Sequence, residues 1–167
     1  FIGLGFLTKG PVAVMIPTVV SFIFCLLRKD FKFWLKAIFN PVGIGVFLVV
    51  ALPWYIASDF HDCGEFIKGF LFMHNLERFD SGLESHTGSV FYYIPVVILG
   101  VLPYTAALFL VVWRLPGLIK QELPLYLLIW FSFVFLFFSF SGTKLPHYVV
   151  YGYTAMTILM ALHLGEL

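Results

Sequence analysis

Long apolar runs separated by short charged gaps organise the chain. Apolar residues dominate 11–27, 41–58, 90–113, 123–140 and 146–164, and a shorter apolar stretch opens the chain at 1–7. A helix needs about 20 such residues to cross a bilayer, so the pattern predicts five full spans and a truncated first one. The gaps differ in sign. Segment 28–37, RKDFKFWLKA, carries Arg28, Lys29, Lys32 and Lys36 against Asp30, and 114–122 carries Arg114 and Lys120 against Glu122. Loop 59–89 has Asp59, Asp62, Glu65, Glu77, Asp80 and Glu84 against Lys68 and Arg78, together with His61, His74 and His86. Lys and Arg gather in the short loops on the cytoplasmic side. That places 28–37 and 114–122 inside and 59–89 outside.

Within the outer loop, GEFIKGFLFMHNLERF (64–79) is too polar to span. Its apolar positions 66, 67, 70, 71 and 73 recur at helical spacing, which predicts an amphipathic helix lying in the interface. On it His74 and Arg78 are four apart and share a face. The following SHTGS (85–89) supplies capping residues for the next helix. The expected fold class is therefore all-α: a polytopic transmembrane helix bundle of about five full spans plus a truncated first one, with an interfacial outer-loop helix.

Composition agrees. The 167 residues are 61% hydrophobic and 11% charged, with a mean hydropathy of +0.99, against roughly 25% charged in soluble domains. The net charge is only +1, and the basic residues stand where cytoplasmic loops put them, so no nucleic-acid surface is indicated. Cys25 lies in an apolar run and Cys63 in a polar loop, which suggests neither a disulfide framework nor a CxxC metal site. FIGLGFL has neither an initiator Met nor a charged n-region. It reads as the end of a helix already under way rather than as a signal peptide, and the chain as an internal segment of a larger membrane protein.

One pattern occurs twice: Thr8-Lys9-Gly10-Pro11 and Thr143-Lys144-Leu145-Pro146. Both T-K-x-P corners fall on the outer side and are expected to open a helix, since Pro suits the first helical turn and extends the residue before it. A helix N-terminus is electropositive and disfavours Lys unless an anion binds there. A phosphate shared by the corners would gain both the lysine charge and helix N–H donors. The plainer alternative is that each lysine snorkels to the interface and each proline simply starts a membrane helix.

LTKGPVA (7–13), LPWY (52–55), HNLERF (74–79), HTGSVFYY (86–93), LGVLPY (99–104) and GTKLPHYV (142–149) follow in that order. Together they resemble the bacterial aminoarabinose transferase and protein mannosyltransferase group of GT-C membrane glycosyltransferases. The resemblance implies a many-helix enzyme of the bacterial inner membrane whose active site faces the periplasm. Such an enzyme moves a sugar from a polyprenyl-phosphate donor to lipid A or a protein. It implies lipid-phosphate contacts at Lys9, Arg78, Lys144 and Tyr148. His74 would organise the outer loop, through a metal in one version. His147, Asn75 and His86 are secondary candidates from the same motifs. The catalytic carboxylate of the group belongs to an earlier outer loop, so the base is expected outside this chain, which would be the C-terminal part of the membrane domain. Ser89 stands where the group often has Pro.

Other features read more plainly. His61, His74 and His86 could hold a divalent metal, but spacings of 13 and 12 match no short ligand motif, and no cofactor is required for a phosphate already clamped by cations. Asp59 and Asp62 read as polar groups at a helix end, and Pro53 and Pro103 as kinks. Tyr92, Tyr93, Tyr104, Tyr148, Tyr151 and Tyr153 read as an aromatic belt. The Phe-rich run 131–140 reads as lipid-facing bulk, and His163 as interfacial. A transporter or flippase for an anionic polyprenyl lipid is the rival function. It would call for ionisable groups near mid-bilayer, and the spans carry almost none.

Overall fold

A computed structural model of the chain describes residues 1–61 and 89–164. The expected helix over 64–79, with His74, Asn75 and Arg78, lies outside the described residues, as do Asp62, Cys63 and His86. The described residues are helical and contain no strand, as the patterning predicted. The chain divides into two compact units, 1–81 and 82–167.

In the first unit, α1 (Ile2–Lys9) packs against both α2 (Val12–Leu27) and α4 (Pro41–His61), while α3 (Phe31–Ile38) lies on α2. Small residues set the spacing, because lipid tails give apolar faces no drive to meet and close backbone approach must supply the attraction. A Cβ at Gly3 would stand 3.1 Å from Val50 Cγ1 of α4, and one at Gly5 would stand 3.2 Å from Ala13 Cβ. Phe6 fills the rest, with its ring centroid 5.5 Å from that of Phe47 and 5.0 Å from that of Tyr55. The Tyr55 hydroxyl donates to the Phe6 carbonyl at 3.0 Å.

The α2–α4 connection corrects the sequence reading, which treated 28–37 as a plain gap. α2 ends with Asp30 N–H donating to Cys25 O at 2.8 Å and Lys29 N–H to Leu26 O at 3.1 Å, with Lys29 at φ 60. This two-bond closure usually places Gly in the left-handed position; here Arg28 and Lys29 stand where the helix dipole favours cations. α3 then puts Phe31 and Trp34 onto Phe22 of α2, and the Trp34 indole N–H donates to Ser21 Oγ at 3.1 Å. Lys32 and Lys36 stay exposed. The gap is thus a short amphipathic helix. Asn40 caps α4 by accepting from Gly43 N–H at 3.0 Å, with Pro41 at the first helical position, the favoured pairing of residue types there.

In the second unit, Ser89 Oγ accepts from Phe91 N–H at 3.3 Å, the cap expected of SHTGS. A 3-10 turn (Val90–Tyr92) leads into α5 (Tyr93–Gly100), followed by α6 (Thr105–Trp113), the single turn α7 (Leu115–Leu118), α8 (Glu122–Phe140), a 3-10 turn (Pro146–Val149) and α9 (Val150–Leu164). α8 and α9 form the main antiparallel pair and α6 packs on α9. Gly152 lets them close: a Cβ there would meet Phe131 Cδ2 at 3.2 Å. The Trp130 indole donates to Tyr151 O at 2.9 Å.

The run 90–113 is not one straight span. Val90–Gly100 and Thr105–Trp113 meet at 120°, across a turn holding a cis Leu102–Pro103 bond. Tyr104 N–H donates to Val101 O at 2.7 Å, and Thr105 Oγ1 bridges the break to Ile98 O at 3.2 Å. The pair still carries the chain from one end of α9 to the other. Tyr93 bonds to Leu145, just before α9, while Trp113 and Arg114 share a recess with His163 near its far end. Among the described residues, α4 and α8 are long and apolar enough to cross a membrane, and the broken pair makes a third span if counted as one. α2 and α9, at 16 and 15 residues, are shorter than the full spans expected of them.

Candidate functional site

The second T-K-x-P corner is the most constrained loop among the described residues. α8 ends at Phe140, and 141–145 turn the chain towards the 3-10 turn. Lys144 is buried, at 7% exposure. Its Nζ donates to Ser139 O at 2.7 Å and to Ser141 O at 2.8 Å. Those carbonyls close α8, where backbone C=O groups lack intrahelical partners and carry negative partial charge. The expectation that Lys144 opens the next helix as an uncompensated charge is therefore corrected: it caps the helix before it. Beside it, Ser139 Oγ is buried without a hydrogen-bond partner.

Leu145 is extended, at φ −124 and ψ 135, as the following Pro requires. The buried Tyr93 hydroxyl grips it twice, donating to Leu145 O at 3.1 Å and accepting from Leu145 N–H at 3.2 Å. The side chains after the proline are then fixed by rings. Tyr148 is half-buried, its centroid 4.8 Å from Phe138 and 4.9 Å from His147, and His147 is exposed. The corner thus presents an imidazole and a phenol from a backbone held on both sides. A phenol hydroxyl and an imidazole N–H are both donors to an anion.

Several expectations change here. Tyr93 is completely buried, and Tyr153 sits directly against Gly100 while donating to Val96 O at 3.1 Å, so both are internal braces rather than belt residues. Tyr104 stays exposed at 57%. Within the Phe-rich run, Val134 and Phe138 are buried and Phe138 packs on Tyr148 and Tyr151; only part of the run faces outward. His163 is buried, with Nδ1 2.9 Å from Leu159 O.

In the first unit, Lys9 is the last residue of α1 and exposed. It closes a helix rather than opening one, which removes the electrostatic penalty that made the corner look unusual. Gly10 carries φ 64 and Pro11 stands before α2. Asp59 and His61 lie in the last turn of α4. Among the described residues, no group of three or more His, Cys, Asp or Glu could hold a metal ion.

Fold and corner together define a segment of an all-helical, polytopic membrane protein with a built polar corner. No protein-family model matches it. Over its full length the chain is 32% identical to the undecaprenyl phosphate-alpha-4-amino-4-deoxy-L-arabinose arabinosyl transferase 1 of Proteus mirabilis. It is 30% identical, over 95% of its length, to the corresponding transferase of Edwardsiella ictaluri. The crystal structure of ArnT from Cupriavidus metallidurans bound to undecaprenyl phosphate superposes on 99% of the chain with a TM-score of 0.87 and 31% identity. The apo structure of that protein gives 0.82. The chain spans about 30% of the length of these relatives. The resemblance drawn from the motifs is thus borne out in sequence and in fold.

Proposed function

We propose that this chain forms the lipid-phosphate-binding part of a membrane glycosyltransferase. The enzyme would move an aminoarabinose-type sugar from an undecaprenyl-phosphate donor to lipid A, at the periplasmic face of the bacterial inner membrane. What carries the reading is the Tyr93-gripped corner, together with a 0.87 TM-score likeness to a protein crystallised with undecaprenyl phosphate.

The chemistry suits such a corner. Transfer breaks the bond between the anomeric carbon and the phosphate oxygen, so negative charge grows on the departing lipid phosphate. Fixed donors aimed at that oxygen lower the barrier. Tyr148, backed by Phe138, is the candidate donor of the second unit, with His147 beside it. Lys144 acts by holding the carbonyls of the corner. From the first unit Lys9 is the candidate cation, and Arg78 of the outer loop is assigned the same chemistry by the HNLERF motif. The general base is assigned to no residue of this chain. Protein as acceptor and mannose as sugar remain the alternatives within the same reaction class; the names of the relatives favour aminoarabinose and lipid A.

The test is product chemistry in the full-length protein, reconstituted with undecaprenyl-phosphate aminoarabinose and lipid A. Sugar appearing on lipid A, and lost in Arg78→Ala while membrane insertion persists, supports the proposal. Release or translocation of the lipid without sugar transfer overturns it in favour of a flippase or another lipid-phosphate enzyme.

A further inference from the structure

At the end of α2 far from Lys9, the short helix α3 carries charge that the proposed transfer does not use. We infer that Lys29, Lys32 and Lys36 form a docking row for the phosphate headgroups of anionic phospholipids, in the leaflet opposite the proposed active site.

The helix is built to lie at a membrane surface. Phe31 and Trp34 turn towards Phe22 of α2, and residues four apart share a face, so Lys32 and Lys36 stand together on one flank. The seat lies back from the end of α2: Phe22 and Ser21 precede Leu27 by five and six residues, about 8–9 Å at the helical rise of about 1.5 Å per residue. The aromatic edge of α3 therefore reaches below the end of α2. The lysine stems start where a span gives way to headgroups, and such stems extend their ammonium groups towards water. Phe33, 64% exposed, adds an apolar side chain next to Lys32. Helices that are aromatic on one side and basic on another bind in the interface of anionic bilayers.

The charge is available to a ligand. Among the described residues, no hydrogen bond or ion pair engages the side chains of Lys29, Lys32 or Lys36, and all three are exposed. Arg28 already interacts within the chain and is not needed. Asp30 is the one carboxylate in 28–37, so the row stays net positive. The backbone of Lys29 is fixed at φ 60, with its N–H bonded to Leu26 O at 3.1 Å, which holds the first charge at the start of α3. An ammonium is a point charge that binds phosphate without demanding one geometry. Three of them on an exposed helix suit a plane of headgroups better than one enclosed anion.

For the test, the full-length protein is placed in phosphatidylcholine nanodiscs containing a minor fraction of phosphatidylglycerol, and the lipid retained on release is counted by native mass spectrometry. The parent should retain phosphatidylglycerol above its share of the disc. That preference should fall about fivefold in each of Lys29→Gln, Lys32→Gln and Lys36→Gln, the scale of one basic residue at an anionic surface, and vanish in the triple variant. Arginine at all three positions should preserve it. None of these side chains contributes to the seat on α2, so the variants keep the fold. Lys120→Gln, an exposed lysine of the second unit, should leave the preference unchanged. The same preference in the parent and in the triple glutamine variant overturns the row. An equal loss in Lys120→Gln overturns it in favour of diffuse surface charge. Displacement of the lipid by millimolar inorganic phosphate overturns the lipid assignment in favour of free phosphate.

Discussion

Thr8-Lys9-Gly10-Pro11 and Thr143-Lys144-Leu145-Pro146 are the same pattern in sequence, but the backbone passes through them differently. In the first, helix α1 runs through Lys9 itself, and the chain leaves through Gly10 at φ 64, a conformation that favours glycine. Lys9 points outward and is exposed. In the second, the helix has stopped at Phe140, and Lys144 folds back on the carbonyls it has just left. The x position is extended, so a leucine fits. The difference teaches that the motif specifies a lysine close to a helix end, within the last turn in one copy and beyond it in the other, not a single geometry. One lysine is exposed in the last turn of its helix; the other is buried against the carbonyls of the helix before it.

That contrast predicts opposite phenotypes for the two lysines. Lys9→Ala in the full-length protein should lower sugar transfer by about 10²–10³-fold, the scale of one electrostatic contact to a developing oxyanion, and leave thermal unfolding in detergent unchanged. A variant that transfers normally removes Lys9 from the site. Lys144→Met keeps the aliphatic stem and deletes the ammonium, so two carbonyls at a buried helix end lose their donor. Unfolding free energy should drop by about 2–4 kcal/mol, with transfer falling only as folded protein is lost. Transfer abolished at full stability would return Lys144 to the phosphate.

The x positions sharpen the comparison further. Gly10→Leu copies the second corner into the first, but at φ 64 and ψ −147 a leucine enters a region that essentially only glycine occupies, at a cost of about 1–3 kcal/mol. The expected readout is a lower unfolding midpoint and weaker transfer, because Lys9 is the residue next to the strain. No change would mean that the first corner can adopt the extended form of the second.

Much of this was legible in the chain. The apolar runs gave α2, α4, α8 and α9 nearly to their ends, and the Ser89 cap and the outward Lys9 followed from residue type. Two features were hidden for physical reasons. Residues 90–113 are uniformly apolar, and hydropathy carries no direction, so only Pro103 hinted at the 120° break. The partners of Lys144 and Tyr93 are backbone carbonyls and an N–H, which every residue owns; no side-chain pattern announces them. α3 was missed because four basic residues in ten disguise the phenylalanine and tryptophan that seat it on α2.

The smallest effect separates the two corners most finely. Each has a tyrosine from another helix bonded to backbone beside it: Tyr55 to Phe6 O at 3.0 Å, and Tyr93 to Leu145 O at 3.1 Å. The Phe6 carbonyl also accepts from Gly10 N–H at 2.8 Å, so it keeps a partner when Tyr55 becomes Phe. The Leu145 carbonyl likewise keeps a partner, Tyr148 N–H at 3.0 Å, but Leu145 N–H loses its acceptor when Tyr93 becomes Phe. Leu145 is only half-buried, so water can replace part of the loss. About 1 kcal/mol is expected for Tyr93→Phe, and a few tenths for Tyr55→Phe. The ring of Tyr93 stays, so packing is untouched, and any rise in donor KM reports the position of Tyr148 alone. Equal, negligible losses in both variants would mean that Lys144 by itself holds the second corner, and that the double grip of Tyr93 is incidental to where His147 and Tyr148 stand.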